Sequence, residues 1–188
     1  METIQMITNP VISSIENRRS IRQYTGQKLS DCEMATLMEA ALQAPTGRNA
    51  QSCDIVFTQN KALIDKMNAG FIAYTQENGG HYHVTEEYQV HYGAPAFVFI
   101  MGNPEEKWRY VDGGIIAENI ALAAESLGLG TCIIGMIQAY MTNPAAQEII
   151  RELDVPENYE FVIGLAVGHP DQMPEAKPRD VSKIHVVE

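Results

Sequence analysis

The sequence predicts an α+β domain with helices on both faces of one sheet. Two observations carry this. Roughly five or six segments show a helical apolar period, and roughly four or five are short runs of strand composition. The two kinds do not alternate regularly enough for a doubly wound sheet. The 188 residues are 45% hydrophobic and 20% charged, enough apolar material for one folded domain over residues 1–188 and too much for a disordered chain.

Taken in order, the first helix starts after Asn9, whose side chain can cap it. Pro10 suits the first helical position, and Val11, Ile12 and Ile15 share a face. Ser30-Asp31-Cys32-Glu33 has the capping-box pattern. Met34, Leu37, Met38, Ala41 and Leu42 follow at helical spacing, and Pro45 ends the element. Residues 46–49 form a loop and 54–58 a strand, after which Asn60 caps a helix carrying Leu63, Ile64 and Met67.

Residues 71–93 mix aromatic and polar side chains around Gly79-Gly80. Both a mobile substrate lid and a plain irregular connection fit that composition. The apolar run 95–101 reads as a buried strand. A long helix spans about 105–127. Its Gly113-Gly114 pair costs roughly 1 kcal/mol per glycine relative to alanine, which predicts the close approach of another helix. Residues 131–136 are extended. Asn143-Pro144 opens a helix burying Ile149, Ile150 and Leu153. Residues 160–167 form a strand, 168–178 a proline-rich coil and 181–187 a strand-like tail.

Thirteen basic residues against twenty-four acidic ones give a net charge of −11. Such a chain is repelled by phosphate backbones and anionic lipid, so neither nucleic acid nor a membrane surface is an expected partner. The longest apolar run, 94–101, falls far short of the roughly 20 residues needed to cross a bilayer. Met1-Glu2-Thr3 begins no leader pattern, and Cys32, Cys53 and Cys132 form neither a disulfide framework nor a CxxC pair. A cytoplasmic location is expected.

Six of the thirteen basic residues fall in two short segments, Arg18, Arg19 and Arg22 near one end and Lys177, Arg179 and Lys183 near the other. They can meet on one phosphate, with the Ser20 hydroxyl beside them, or stand as two unrelated solvated patches. Gly128 to Gly135 lacks the GxGxxG spacing and follows a helix, so it is no dinucleotide loop. Gly135 closes an apolar strand where a flat ligand can approach the backbone. His81-x-His83 and His91 have no carboxylate or thiol partner at a firm spacing, and no metal site is expected.

Four motifs in order resemble the FMN-dependent nitroreductase family, over about residues 12–185. They are Arg18-Arg19-Ser20-Ile21-Arg22-Gln23-Tyr24; Ala44-Pro45-Thr46-Gly47-Arg48-Asn49-Ala50-Gln51; Ala117-Glu118-Asn119 with Gly128-Leu129-Gly130-Thr131 leading into Ile134-Gly135; and Gly168-His169-Pro170 with Lys177-Pro178-Arg179. The resemblance implies a mainly antiparallel central sheet flanked by helices, in a homodimer that exchanges a C-terminal arm, here 179–188. It implies two FMN molecules at the subunit interface. Arg18, Arg19, Ser20 and Arg22 would contact phosphate, ribityl chain and pyrimidine edge, with Lys177 and Arg179 closing on the phosphate. Pro45, Thr46, Gly47 and Asn49 would reach the other subunit's FMN. Ile134 and Gly135 would lie along the flavin, with a backbone N–H near N5.

The implied activity takes hydride from NAD(P)H onto flavin N5 and passes it to an electron-poor acceptor: a nitroaromatic, a quinone or an activated alkene. No side-chain acid or base is assigned, because the cofactor carries the chemistry. An FMN carrier or redox sensor without sustained turnover is the alternative. The sequence departs from the family at Ser52-Cys53, at Ile133 and at 86–91, where many relatives carry a basic side chain. Arg22 is then the first candidate to balance the charge of reduced flavin.

Overall fold

The computed structural model describes residues 6–79 and 84–187. Four strands form one antiparallel sheet: β1 (Cys53–Thr58), β2 (Ala96–Gly102), β3 (Gly130–Ile134) and β4 (Glu160–Gly168), in the spatial order β1-β2-β4-β3. Every residue of β2 is buried. Its side chains divide with the strand period of two: Phe97, Phe99 and Met101 face one core, Ala96, Val98 and Ile100 the other.

The first core is closed by α3 (Lys61–Asn78), α5 (Gln138–Met141) and α6 (Gln147–Glu152), through Met67, Phe71, Tyr140, Met141 and Ile149. The second is closed by α2 (Asp31–Leu42) and α4 (Arg109–Ser126), through Leu37, Ala41, Ile116, Ile120 and Ala124. This is the expected three-layer α+β arrangement.

Local chemistry starts the helices where the sequence says. Asn9 accepts from the Ile12 N–H at 3.0 Å and opens α1 (Pro10–Asn17). Ser30 and Glu33 satisfy each other's backbone N–H groups in a complete capping box on α2. Asn60 accepts from Ala62 and Leu63 at the start of α3. The apolar faces are broader than the core needs. Val11 and Ile15 on α1, Met38 and Leu42 on α2, and Trp108, Tyr110 and Val111 at the start of α4 remain exposed.

A bulge in β4 accounts for half of the glycine pair. Ile100 pairs with Ile163 and Met101 with Phe161, so Val162 is the extra residue. Its side chain enters the second core, where a Cβ on Gly113 would stand 2.5 Å from Val162 Cγ1. The close approach predicted for a helix is thus made by the chain's own sheet at Gly113. A Cβ on Gly114 would meet nothing within 4 Å.

Two segments differ from expectation. Residues 71–78 continue α3, with Phe71, Ile72 and Thr75 buried, because the apolar face that starts at Leu63 runs on without a break. Beyond residue 83 the chain is anchored: the Asn68 amide donates to the Tyr88 carbonyl and accepts from the Val90 N–H, both at 2.8 Å. Residues 71–78 and 88–90 are therefore no free lid, and His81, Tyr82 and His83 lie outside the described residues.

The tail also differs. Val181–Lys183 is a 3₁₀ turn opened by Asp180, whose carboxylate accepts from the Ser182 N–H, and the described residues beyond it join no strand. Val181, Ile184, Val186 and Val187 are all at least 78% exposed, so strand composition here has no neighbour to pair with among the described residues.

Candidate functional site

The segment 18–25 is held against two distant parts of the chain. Its Ile21 N–H donates to the Thr131 carbonyl at 2.8 Å, and Ser20 bridges to the same residue. Thr25 donates to the His169 carbonyl at 3.1 Å, and Asp171 returns a bond to the Gln23 carbonyl at 2.9 Å. The Gln172 amide oxygen, oriented by the donors around it, accepts from the Arg22 and Gln23 backbone N–H groups. This lacing draws the C-terminal coil over the first arginine motif.

The result is a cleft of about 180 Å³ lined by Arg18, Arg19, Ser20, Arg22, Pro174, Glu175, Lys177 and Arg179. Five basic side chains face one carboxylate there, in a chain of net charge −11. The two clusters that could have been separate surface patches share one site. Lys183 does not line it.

The cleft has donors to spare. Arg19 Nη1 donates to the Glu16 and Arg18 carbonyls at 2.6 and 2.8 Å, which fixes the guanidinium at the C-terminal end of α1. Its Nε is buried and has no hydrogen-bond partner. Arg18 Nε lies 3.3 Å from the Glu118 carboxylate, a charge contact without hydrogen-bond geometry. Among the described residues, Lys177 and Arg179 form no hydrogen bond or ion pair. Arginine and lysine have donors only, so an acceptor-rich anion is the complementary ligand.

Arg22 stands at the inner end of this motif. Its guanidinium carbon lies 5.7 Å from the centre of the Tyr92 ring. The Tyr92 side chain beside it raises its pKa, against burial, which lowers it. Beneath it, burial pushes up the Tyr24 phenol and the Cys132 thiol, so both are neutral. The Tyr24 hydroxyl donates to the Ile21 carbonyl at 2.9 Å and so braces the motif from below.

The other expected residues fall elsewhere. Ile134 ends β3 with its side chain in the first core, leaving only its backbone to offer a ligand, while Ile133 is 40% exposed. Gly135 is exposed, with only Ile163 Cδ1 near its hypothetical Cβ. Pro45, Thr46 and Gly47 line a separate apolar cleft of about 240 Å³ with Trp108, Val111, Asp112 and Ile115. Asn49 sits in the same loop with φ at 55°, flanked by Arg48 at 57° and Gln51 at 47°. Left-handed backbone at three non-glycine residues is costly, and the surroundings must hold it.

Asp112 does much of the holding, and nothing in the sequence marked it. Its carboxylate is 2% exposed and accepts from the Gly47 N–H at 3.0 Å and the Ser52 hydroxyl at 3.2 Å. The Thr46 hydroxyl accepts from the Gln51 N–H at 3.0 Å and closes the loop. Ser52 departs from the family pattern, and here it is a buried partner of Asp112. A cavity of about 330 Å³ at His91, Lys28 and Lys61 is larger than the arginine cleft, but Lys61 there is already paired with Asp65 at 2.6 Å.

An antiparallel sheet thus lies between helical layers, with a basic cleft built from both ends of the chain. The Nitroreductase family model matches residues 15–169, and the chain belongs to that family. It is 32% identical over 184 residues to an NADPH-flavin oxidoreductase of Vibrio harveyi and 30% identical over 185 residues to an FMN reductase (NADPH) of Bacillus subtilis (strain 168). Each match covers 91% of this chain and 70% of the relative. Among solved structures, a nitroreductase with bound FMN from Bacteroides fragilis superposes with a TM-score of 0.88 at 26% identity, covering 96% of this chain and all of that one. An FMN-dependent nitroreductase from Clostridium difficile gives 0.83 at 30% identity, with 95% and 99% covered.

Proposed function

We propose that this protein is an FMN-dependent oxidoreductase that takes hydride from NAD(P)H and passes it to an electron-poor acceptor. The observation that carries the reading is the cleft in which Arg19 and Arg179, 160 positions apart in the sequence (179 − 19), line one anion site. Orphaned donors there, the buried Arg19 Nε foremost, fit a phosphate monoester.

Bound FMN supplies a hydride acceptor and donor at N5. The chain's residues bind and orient it. Arg19, Lys177 and Arg179 hold the phosphate, with the Ser20 hydroxyl and Arg18 beside them. Arg22 lies further along the motif, toward the pyrimidine edge. The backbone of Ile134 and Gly135 at the end of β3 would lie along the flavin, with a backbone N–H near N5. No side chain transfers a proton in this scheme. NAD(P)H and the acceptor would bind in turn beside the flavin these residues hold. Nitroaromatics, quinones and activated alkenes are the acceptor classes, and the 71–93 segment is the candidate to select among them.

The working unit is a homodimer. The loop of Pro45, Thr46, Gly47 and Asn49 is away from the arginine cleft of its own subunit and serves the FMN of the other. The exposed apolar residues of α1, α2 and α4 form the contact face, with Gly114 open to a partner helix. The arm at 179–188 crosses and gives its apolar residues a neighbour.

The experiment is the visible spectrum of the purified protein, then anaerobic mixing with NADH and with NADPH. A yellow protein that bleaches rapidly with one or both, and recolours on adding a quinone or nitroaromatic, meets the proposal. A colourless protein that does not take up FMN contradicts it.

A further inference from the structure

The turn before β2 brings an aromatic ring to the first arginine motif. Residues 84–95 contain no lysine or arginine. Tyr92 instead meets the guanidinium of Arg22, which reaches across from the first motif. Tyr92 is held with φ at 56°, a conformation tyrosine avoids, and Gly93 follows at 73°. Hydrogen bonds hold the turn: the Tyr92 N–H donates to the Gln89 carbonyl at 2.9 Å, and the Ala94 N–H to the His91 carbonyl at 3.0 Å. The Asn68 clamp on Tyr88 and Val90 ties the turn to α3. Strain maintained by so many contacts presents a side chain in a set direction.

Arg22 needs such a partner. Among the described residues no carboxylate pairs with it, and its one side-chain hydrogen bond to the backbone is a long one, 3.4 Å to the Ser20 carbonyl. Its backbone is fixed by Gln172, but a long side chain on a fixed backbone still has several rotamers.

We infer that Tyr92 is a positioning residue: it holds the Arg22 guanidinium at the pyrimidine edge of the flavin, so that Arg22 stands as a fixed cation where reduced flavin carries its negative charge. This rests on the flavin-binding reading above. A fixed cation there favours the reduced state over the oxidised one and raises the midpoint potential. A cation free to swing into solvent does so less. Tyr92 needs no contact with either substrate.

The test is the midpoint potential of bound FMN in four holoproteins: wild type, Tyr92→Ala, Arg22→Ala and the double variant. Loss of about tenfold in preference for reduced flavin corresponds to a fall of about 30 mV for a two-electron couple. We expect a fall of that size in Tyr92→Ala, with oxidised-FMN affinity changed less than about threefold, and an equal or larger fall in Arg22→Ala. In the double variant, removing Tyr92 should add nothing to the loss of Arg22. Tyr92→Phe keeps the ring and loses the hydroxyl; it guards against misfolding and should fall between wild type and Tyr92→Ala. An unchanged potential in Tyr92→Ala overturns the inference, as does an equal fall from Tyr92→Ala whether or not Arg22 is present. A protein that takes up no flavin contradicts the function itself rather than this role for Tyr92.

Discussion

The Asp112 carboxylate accepts the Gly47 N–H at 3.0 Å, joining the first turn of α4 to a loop 65 positions earlier in the chain. With the Ser52 hydroxyl on its other oxygen, one buried acid holds the loop that carries Thr46, Arg48 and Asn49. Removing it leaves two donors without partners. An unsatisfied buried donor costs roughly 1–3 kcal/mol. Asp112→Ala should therefore lower the thermal midpoint by at least about 4 °C, since about 1 kcal/mol moves a chain of this size by roughly 2–4 °C. Ser52→Ala, which removes one donor with its bond, should cost less. Equal melting curves for Asp112→Ala and wild type would show that the loop holds itself.

Gly113 and Gly114 are adjacent but face different surroundings, and they should respond differently. A Cβ at Gly113 collides with Val162, so Gly113→Ala should destabilise each subunit by about 1–3 kcal/mol. At Gly114 nothing in the same subunit is within reach, and alanine is favoured there by up to about 1 kcal/mol in helix propensity. If a partner helix packs on Gly114, that gain is offset at the dimer. Gly114→Ala should raise the dimer dissociation constant in sedimentation equilibrium while leaving the secondary structure intact. An unchanged or tighter dimer would remove Gly114 from the interface.

The tail is the second test of the dimer. Its apolar residues are exposed within one subunit, so crossing to a partner is what would bury them. Deleting residues 181–188 should lower the melting temperature and shift light scattering toward monomer at low concentration. The same dimer and the same melting curve after deletion would mean that the tail crosses nothing.

His91 gives the stability a pH dependence with a definite sign. The residue is 7% exposed, and burial holds its pKa below the ordinary value of 6.5; Asp65 pulls upward and Lys61 downward, each less strongly. Below pH 6.5 the unfolded chain binds a proton that the folded chain resists. The folded state is thus favoured fully above pH 6.5 and loses that contribution as pH falls from 6.5 toward the lower folded pKa. The drop in thermal midpoint between about pH 8 and about pH 5 should be smaller in His91→Gln than in wild type. Equal drops would mean that the imidazole charges in the folded protein without penalty.

Much of this structure was legible where local chemistry decides it. The Ser30–Glu33 capping box, the Asn9 and Asn60 caps and the apolar run of β2 each lie within a few residues, and each formed as read. The concentration of arginine and lysine in an acidic chain left one shared site and two separate patches both open, and the fold brings five of the six residues to one cleft. What brings them together was not legible: Thr131, His169 and Gln172 act through backbone and amide contacts that any sequence could supply. The reason for Gly113 depends on a bulge at Val162, hence on strand register. Asp112 reads as an ordinary surface acid on a helix, and only the loop folding over it makes it buried. Residues 138–141 form α5, too short an element for any periodicity to announce. The tail has strand composition, but a strand exists only beside another.

The phosphate clamp is the claim on which the functional reading turns. Arg19 and Arg179 share one cleft, and truncating one partner of a charge-assisted, partly buried contact typically costs roughly 2–5 kcal/mol. At about 1.4 kcal/mol per tenfold, Arg179→Ala should bind FMN about 30-fold more weakly or worse and purify pale, with activity restored by high FMN. Riboflavin lacks the phosphate. The decisive measurement is therefore the ratio of FMN to riboflavin affinity in wild type and in Arg179→Ala, by fluorescence titration of the apoprotein. The ratio should collapse in the variant, because only FMN loses a contact. If FMN and riboflavin weaken equally, Arg179 does not read the phosphate, and the cleft is not the clamp described here.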